Sequence, residues 1–295
     1  MMSFIAALWW IVALAVLLAL APVALSFFLT RRHYLVETRS PAELGLPFED
    51  VSFRSSDGLT LRGWWIPAPG SGRAPGSCRA IIQMHGHAGS MDPDIQYVPA
   101  WHAAGLNVLM FDFRAHGRSE GRISTFGYLE RRDVQGAIRF LQQEKDVRRI
   151  ALVGFSLGAM VSILSAPICP QADAVVADGA PARIRSALTV WGLEHHLPRW
   201  SASLLAWMAV CGASLRLRAN LFRYEPVRWI GQIAPRPLMI IHGNQDQYCP
   251  DFEDLLAAAH PTELWRVPDV GHVQASQVYP EEYRRRVVAF LDRHL

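Results

Sequence analysis

Hydrophobic and polar positions change their period several times along the chain, and each change predicts a different element. The runs Phe48 to Arg54 and Leu59 to Ile66 are strand-like, and Asp57-Gly58 between them is typical of a hairpin turn. Ala68 to Ser77 is rich in proline, glycine and serine and predicts a surface loop. From there on, short apolar runs alternate with segments of helical spacing.

The short apolar runs predict strands that are buried on both faces, which is typical of a parallel sheet covered by helices. The predicted strands are Ala80 to Met84, Leu106 to Phe113, Ile150 to Val153, Ala174 to Val176, Leu238 to Ile241 and Leu264 to Val267. The predicted helices are Val98 to Ala104, Tyr128 to Gln143, a helix from Ser156 and a terminal helix from Arg284 to His294. We therefore predict an α/β fold: a mostly parallel, twisted sheet with helices on both faces and the hairpin at one edge.

The segment from Pro181 to Pro235 departs from this alternation. It lies between two predicted strands, at the edge where the active sites of such sheets lie, and it is rich in leucine and tryptophan, including Trp191, Trp200 and Trp207. These residues predict either a small helical lid over an apolar pocket or helices whose apolar face packs on the domain. The sequence leaves both interpretations open.

The N-terminus carries the longest apolar run of the chain. Phe4 to Leu25 contains no charged side chain, and Ser26 to Leu29 extends it. At a rise of about 1.5 Å per residue, the first of these stretches spans about 33 Å, enough to cross the core of a bilayer. We therefore expect residues 1–32 to form a transmembrane anchor and residues 33–295 to form the main domain.

The charges around this run give it an expected orientation. No charged side chain precedes it, which disfavours a signal peptide, whereas Arg31, Arg32 and Arg39 follow it. Because positive charge favours the cytoplasmic side, we expect a single-pass membrane protein whose main domain faces the cytoplasm.

Composition excludes several classes of protein. The formal net charge is +3 and no basic run is interleaved with aromatic residues, so nucleic acid is not an expected partner. Cys78, Cys169, Cys211 and Cys249 are widely spaced and include no C-x-x-C pair, which predicts neither a zinc site nor a disulfide scaffold. The only lysine, Lys145, lies in a charged helix end, which disfavours Schiff-base chemistry. We expect no metal and no organic cofactor.

The chemistry is carried first by Gly154-Phe155-Ser156-Leu157-Gly158, a G-x-S-x-G that directly follows a predicted strand and directly precedes a helix. A serine on such a tight turn projects its hydroxyl from the sheet, and the flanking glycines let the backbone pass closely. The competing interpretation is a serine that only caps the helix. The strand–turn–helix context favours Ser156 as a nucleophile.

Serine is a weak nucleophile and needs a base nearby. His272 follows the last predicted strand, where a loop can return it over the serine, and of the eleven histidines it is the one that fits the chain order serine, acid, histidine. The acid should follow the penultimate strand, where Asp246 lies. Asp251 and Asp254 are rivals, although each fits the start of a helix equally well. The predicted catalytic residues are therefore Ser156, Asp246 and His272.

Negative charge on the substrate oxygen needs two backbone N–H donors. Leu157, next after the serine, supplies one of them. The second is expected from the loop after the strand Ala80 to Met84, where His87 follows the pair His85-Gly86. We predict that His87 and Leu157 form the oxyanion hole and that the ring of His85 has a structural role.

Taken in order, these motifs resemble the α/β-hydrolase superfamily. The residues that carry the resemblance are His85-Gly86, Phe111 to Gly121, the serine turn, His242-Gly243-x-x-Asp246 and Gly271-His272, within residues 46 to 295. They look closest to the esterase, lysophospholipase and serine-aminopeptidase-like branch, which includes proteins with one N-terminal anchor. The resemblance implies that Asp112 and Arg114 to Ser119 brace the site. Dehalogenase and epoxide-hydrolase relatives carry an aspartate in place of Ser156, so neither activity is expected.

The expected function is hydrolysis of a carboxylic ester or thioester, possibly lipid-like, through an acyl-enzyme on Ser156. The partners expected are a small-molecule ester or acyl substrate and a membrane bound through the N-terminal helix. Two alternatives stay open: a serine peptidase acting on short peptides, and a non-catalytic membrane-bound binding protein. The sequence names no natural substrate and no oligomeric state.

Overall fold

A single eight-stranded sheet organises the part of the chain that the computed structural model describes, residues 2–34, 38–70 and 78–295. The strands are β1 (Glu49–Arg54), β2 (Thr60–Ile66), β3 (Arg79–Met84), β4 (Asn107–Phe111), β5 (Arg149–Phe155), β6 (Ala172–Asp178), β7 (Leu238–Gly243) and β8 (Glu263–Val267). Most of the predicted loop Ala68 to Ser77 lies outside the described residues.

Ten α-helices are assigned within these ranges. They are α1 (Met2–Leu29), α2 (Val98–Ala103), α3 (Arg131–Glu144), α4 (Leu157–Ser165), α5 (Ile184–Glu194), α6 (Arg199–Arg216), α7 (Pro226–Trp229), α8 (Phe252–Ala258), α9 (Ala275–Val278) and α10 (Pro280–His294). Short 3-10 turns connect several of them.

The strand order is β1-β2-β4-β3-β5-β6-β7-β8. The pairs β1–β2 and β2–β4 are antiparallel, and every other neighbouring pair in this sheet is parallel. The predicted mostly parallel sheet with an antiparallel hairpin at one edge is confirmed. Because β3, β5, β6 and β7 run in one direction, their carboxyl ends meet at the same edge, and the loops that follow them can share one site.

Each face of the sheet has its own hydrophobic core, because side chains alternate between the faces along a strand. On one face Ile82 and Leu152 pack with Val134 of α3 and Ile163 of α4. On the other face Ile81, Val153 and Val176 pack with Trp101 of α2 and Phe290 of α10, and all five are fully buried. Both faces are covered by helices, as predicted.

The prediction of a transmembrane anchor is wrong. Taken over the described residues, none of the helices combines the length and the apolar composition of a membrane span. The expected membrane partner and the expected single-pass arrangement facing the cytoplasm both depended on that anchor. These two predictions are therefore wrong as well.

The carboxyl-terminal part of α1 packs against α6. A Cβ atom at Gly212 of α6 would lie 1.9 Å from the carbonyl oxygen of Pro22, so the two backbones touch. Arg216 also donates a hydrogen bond to the hydroxyl of Thr30, just past the end of α1. Hydropathy identifies an apolar run but does not show what the run packs against. Here the carboxyl-terminal part of the run packs against α6, another helix of the same chain.

The helices α1, α5 and α6, referred to below as the helical layer, lie over the amino-terminal part of α4. Leu29 of α1 and Val210 of α6 share a hydrophobic cluster with Met160 of α4. The ring of Phe28 is 5.7 Å from that of Trp191 on α5.

Small residues make the buried face of α6, and large residues lie outside it. The buried positions are Ala202, Ala206, Ala209, Val210, Gly212 and Ala213. In contrast, the relative exposure of Trp200 is 73% and that of Trp207 is 49%. These two tryptophans therefore belong to neither sheet core. Burial in a core does not explain why the insertion carries them.

Candidate active site

Ser156 lies where β5 ends and α4 begins, in a backbone conformation that few residues adopt. Its φ is 52° and its ψ is −108°. A Cβ at Gly154 would lie 2.2 Å from the backbone of Gly158, and one at Gly158 would lie 2.1 Å from the carbonyl oxygen of Met84. Both glycines are required by close backbone approach, and together they let the chain turn sharply enough to expose the serine hydroxyl.

The structure brings the three predicted catalytic residues into one hydrogen-bonded line. His272 Nε2 is 2.8 Å from Ser156 Oγ. His272 Nδ1 is 2.8 Å from Asp246 Oδ2 and 2.9 Å from Asp246 Oδ1. A carboxylate can only accept, so this network assigns the ring proton to Nδ1 and leaves Nε2 to accept from the serine hydroxyl. We call Ser156, His272 and Asp246 the triad.

Two loops hold the acid and the histidine in register. Asp246 follows β7, where its N–H donates to the Gly243 carbonyl at 2.9 Å and its Oδ1 accepts from the Tyr248 N–H at 2.9 Å. The N–H of Gln245 donates to the carbonyl of Val270, in the loop that follows β8, at 2.9 Å. The Asp246 side chain is fully buried, and that of His272 is about one-fifth exposed. A buried carboxylate with several donors is well placed to orient an imidazole.

The two rival acids lie elsewhere. Asp251 accepts hydrogen bonds from Arg183 at 2.9 Å and from the Ser186 hydroxyl at 2.8 Å. Asp254 accepts from the same Arg183 guanidinium at 2.7 Å. Both carboxylates thus tie the start of α8 to the start of α5 rather than contacting the predicted base.

The predicted oxyanion residues lie on either side of Ser156. The first backbone bond of α4 runs from the N–H of Met160 to the Ser156 carbonyl at 3.0 Å, so the N–H of Leu157 belongs to the first turn and has no partner within the helix. On the other side, a Cβ at Gly86 would lie 3.7 Å from Ser156 Cβ, which places the loop after β3 against the nucleophile. His87 follows Gly86 in that loop.

His85 braces this loop, in line with the structural role expected for it. Its Nε2 accepts from the Phe113 N–H at 3.1 Å, and its Nδ1 donates to the Gly86 carbonyl at 2.8 Å. Burial lowers the pKa of His85 to about 4, so the ring is neutral near pH 7 and fits this pattern of one donor and one acceptor.

Asp112 has the bracing role that the resemblance implied. Its carboxylate accepts from the N–H of Met91 at 2.9 Å and from the N–H of Arg118 at 2.9 Å, which joins the loop after β3 to the loop after β4. Arg114 pairs with Asp57 and with the buried Asp133, at 2.7 Å in each case. These contacts hold the loops around the site without reaching the triad.

Sequence reasoning missed two residues at the end of β6. The carbonyl of Asp178 accepts from the Ser156 N–H at 2.9 Å, and its carboxyl accepts from the buried Tyr283 hydroxyl at 3.0 Å. Burial raises the pKa of Asp178 to about 7. Gly179 has a φ of +64°, and a Cβ there would lie 3.2 Å from His272 Cε1 and 2.8 Å from Val273 Cγ2. The available signal was an Asp-Gly pair ending the strand next to the nucleophile strand.

A third missed residue, Tyr248, connects the triad with the helical layer. Its ring centroid is 5.1 Å from that of His272, and its hydroxyl donates to Glu194 at the end of α5. Burial and the Glu194 carboxylate together raise the pKa of Tyr248 to about 12. A movement of α5 would therefore shift Tyr248 relative to the ring of His272.

The fold and this arrangement of strands, turn and triad agree with a match to the model of the "Alpha/beta hydrolase family" over residues 84–287. The chain belongs to the alpha/beta hydrolase family. The matched region includes Ser156, Asp246 and His272, as well as His87 and Leu157.

Individual relatives and solved structures show how far the likeness extends. The uncharacterized protein YfhR of Escherichia coli (strain K12) is 31% identical over 249 residues, which are 82% of this chain and 80% of YfhR. The polyketide transferase ATR5 of Stachybotrys chlorohalonatus is 34% identical over 296 residues, covering 84% of this chain and 97% of that protein. Among solved structures, the Pyrococcus furiosus esterase Pf2001 has a TM-score of 0.71 at 28% identity, covering 90% of this chain and 97% of that one.

Proposed function

We propose that this alpha/beta hydrolase is a serine hydrolase that cleaves a carboxylic ester or thioester through an acyl-enzyme on Ser156. The observation that carries the proposal is the continuous line of hydrogen bonds from Ser156 Oγ through His272 to the buried Asp246. If Ser156 only packed or capped a helix, neither a base 2.8 Å from its hydroxyl nor an acid bonded to that base would be required.

In the first half-reaction, Ser156 Oγ attacks the carbonyl carbon while its proton passes to His272 Nε2. Asp246 stabilises the resulting imidazolium and holds it in the productive orientation. The negative oxygen of the tetrahedral intermediate is placed between the N–H groups of Leu157 and His87. As the intermediate collapses, the bond to the leaving group breaks, and the alcohol or thiol takes the proton from His272.

In the second half-reaction, water attacks the acyl carbon. His272 Nε2 removes a proton from this water, and Ser156 Oγ leaves and recovers the proton when the second intermediate collapses. The products are the free acid and the free enzyme. Every proton transfer in this cycle is made by His272, so the chemistry needs no metal or organic cofactor.

Two observations favour esters over the other open functions. A relative in structure, Pf2001, is described as an esterase, and it matches nearly the whole of this chain. A non-catalytic binding protein would not need a triad. Peptide hydrolysis uses the same three residues, so a serine peptidase acting on short peptides is the second candidate. A lipid-like acyl group is supported by the partly exposed Trp191 on α5, since that helix ends at Glu194, which accepts from Tyr248 beside His272.

The experiment combines a labelling reaction with a substrate panel. The purified full chain should react with a fluorophosphonate probe and should hydrolyse p-nitrophenyl esters of graded acyl length faster than aminoacyl p-nitroanilides. Ser156→Ala should abolish labelling and lower kcat by about 10⁴ to 10⁶. Ser165→Ala is the matched control, since its hydroxyl is buried nearby without a hydrogen-bond partner among the described residues.

Near-normal turnover by a correctly folded Ser156→Ala protein would overturn the nucleophile. Efficient cleavage of the anilides with no ester preference would favour the peptidase instead. Lack of labelling and of turnover in the unmodified chain would favour a binding protein.

A further inference from the structure

Beside the loop that carries His87, three histidines from separate parts of the chain meet: His33, His87 and His116. His33 follows α1, His87 follows β3 and His116 follows β4. One ring nitrogen from each residue lies within 4.8 Å of one ring nitrogen from both of the others. The sequence predicted no metal site, because its cysteines are widely spaced and include no C-x-x-C pair, and these three histidines meet only in the folded chain.

Two of these rings carry a buried nitrogen without a partner. His33 Nε2 and His116 Nε2 are both buried and make no hydrogen bond among the described residues. Buried polar atoms are normally paired, so two unpaired ring nitrogens on neighbouring side chains call for an explanation. An ion or a water that both nitrogens bind would provide one.

The second nitrogen of His116 is arranged as in metal-binding histidines. His116 Nδ1 donates to the Arg114 carbonyl at 3.0 Å, which fixes the tautomer and leaves the lone pair on the unpartnered Nε2. Histidine ligands of metals characteristically make this kind of hydrogen bond with their non-ligating nitrogen. The ring is also fully buried and therefore held in place.

The neighbouring His85 shows why the set contains three ligands rather than four. Its ring is 5.1 Å from that of His116, but both of its nitrogens already make hydrogen bonds, to the Phe113 N–H and the Gly86 carbonyl. The ring centroid of His33 lies 4.7 Å from that of His87 and 4.9 Å from that of His116, and the rings of His33 and His116 stack with 18° between their planes.

From this geometry we propose that His33, His87 and His116 form a binding site for a divalent transition-metal ion of the Zn²⁺ class. Zn–N bonds of about 2.0–2.1 Å place the nitrogens of a tetrahedral site roughly 3.3 Å apart, so the rings of His33 and His116 must turn out of their stacked arrangement when all three nitrogens bind one ion. Three imidazoles and one open position for water suit Zn²⁺, Ni²⁺ or Cu²⁺ and do not suit Mg²⁺ or Ca²⁺.

A cation here would join three segments, one of which borders the triad. It would bind the segment after α1 to the loops after β3 and β4, the first of which carries the proposed oxyanion donor His87. Fixed charge around the site is mixed: the Glu130 carboxylate attracts positive charge at His116, and the Arg31 guanidinium opposes it at His33. The site does not involve Ser156, so it stands or falls independently of the proposed hydrolase activity.

The test uses the full chain, freed of metal by EDTA and dialysis, at pH 7.5. Titration with Zn²⁺ in a calorimeter should show one site, and Co²⁺ should give the visible absorption bands of a four-coordinate ion. His33→Gln and His116→Gln should each weaken Zn²⁺ binding by more than about 100-fold, since losing only the hydrogen-bond partner of a ligand already weakens metal binding by about 10–100-fold. His33 is only partly buried, so its variant keeps the test decisive if His116→Gln fails to fold.

His102→Gln is the matched control, because His102 Nε2 is also buried without a partner but lies on α2, outside the cluster. It and Ser156→Ala should bind Zn²⁺ as the unmodified chain does. Absence of saturable Zn²⁺ binding, or binding unchanged in both His33→Gln and His116→Gln, would overturn the proposal. So would binding that is lost in Cys249→Ser alone, since His242, Asp246 and Cys249 form a second candidate group of ligands among the described residues.

Discussion

The triad and the helical layer place their chemically prominent residues in opposite ways. At the triad, the polar side chains are buried or partly buried and each has defined partners, as with Asp246 between His272 and the Tyr248 N–H. In the helical layer, the prominent residues Trp200 and Trp207 are exposed, while alanine and glycine make the contacts between helices. The hydrophobicity of a side chain therefore does not by itself show where the packing is.

The difference follows from the forces that act in each region. Hydrogen bonds are directional and leave the triad few alternatives, so residue type and chain position single out three candidates that the fold brings together. Helix packing depends on how closely two backbones approach, and a glycine that lets them touch has no hydrophobic signal. Substitutions in the two regions test this difference, from the largest expected effect to the smallest.

The largest effect is expected from the acid of the triad. Asp246→Asn should lower kcat by about 10⁴-fold, because an amide in that place favours the wrong tautomer of His272. Asp251→Asn is the matched control and should retain activity, since that carboxylate contacts Arg183 and Ser186. Steady-state kinetics with a p-nitrophenyl ester and circular dichroism of both proteins make the measurement. An active Asp246→Asn beside an inactive Asp251→Asn would reverse the assignment.

A second prediction concerns the contact between Gly179 and the ring of His272, the predicted base. In Gly179→Ala the added methyl group would press on Val273 and on the ring of His272, and a misplacement of the ring by about 1 Å should lower kcat/KM by about 10²-fold. Gly105→Ala is the control, since Gly105 has a similar φ of +72° with nothing within 4 Å of the added Cβ. Both variants should lose similar stability through the positive φ, so equal activities would remove the proposed contact with His272.

A third prediction concerns packing in the helical layer. Here the sign of the change in unfolding free energy distinguishes helix propensity from close packing between α1 and α6. Helix propensity alone predicts that Gly212→Ala stabilises the protein by about 1 kcal/mol. The contact with the Pro22 carbonyl predicts the opposite, a loss of about 1–3 kcal/mol through overpacking. Urea unfolding measures the difference, with the less buried Ser203→Ala of α6 as the control. A more stable Gly212→Ala protein would show that α1 does not pack there.

The smallest effect on stability is expected from Trp200→Ala. Because this side chain is mostly exposed, its truncation should change the free energy of unfolding by no more than about 0.5 kcal/mol. The same truncation at the fully buried Trp101 should cost about 3–5 kcal/mol. Thermal unfolding of the two variants gives the comparison, and a large loss in Trp200→Ala would place that tryptophan in a core.

The same Trp200→Ala protein tests whether the helical layer contacts the acyl group. If it does, activity in the unmodified chain should rise with acyl length, because each buried CH₂ contributes about 0.8 kcal/mol. The variant should then lose the advantage of long chains while acetyl esters are hydrolysed as before. A flat chain-length profile in the unmodified chain would exclude a lid that binds acyl chains.

Much of the fold followed from the sequence because its elements carry strong local patterns. The predicted ends of β3, β5 and β7 lie within one or two residues of the observed ends. Each of these strands is a short apolar run bounded by polar or turn residues. The short helices α8 and α9 were not predicted, because too few residues repeat in them to show a helical period. The boundaries of α3 and α10 shifted by a few residues for the related reason that helix ends depend on caps and neighbours.

The sequence by itself determined the α/β class, the order of its strands along the chain and the identity of Ser156, Asp246 and His272 as candidates. Each of these is encoded in residues that are close together or in a fixed order along the chain. Only the tertiary structure decided what α1 contacts, that Gly179 makes room for His272, and that His33, His87 and His116 meet. These facts depend on distances between residues far apart in sequence, and a pattern of hydrophobic and polar positions carries no information on such distances.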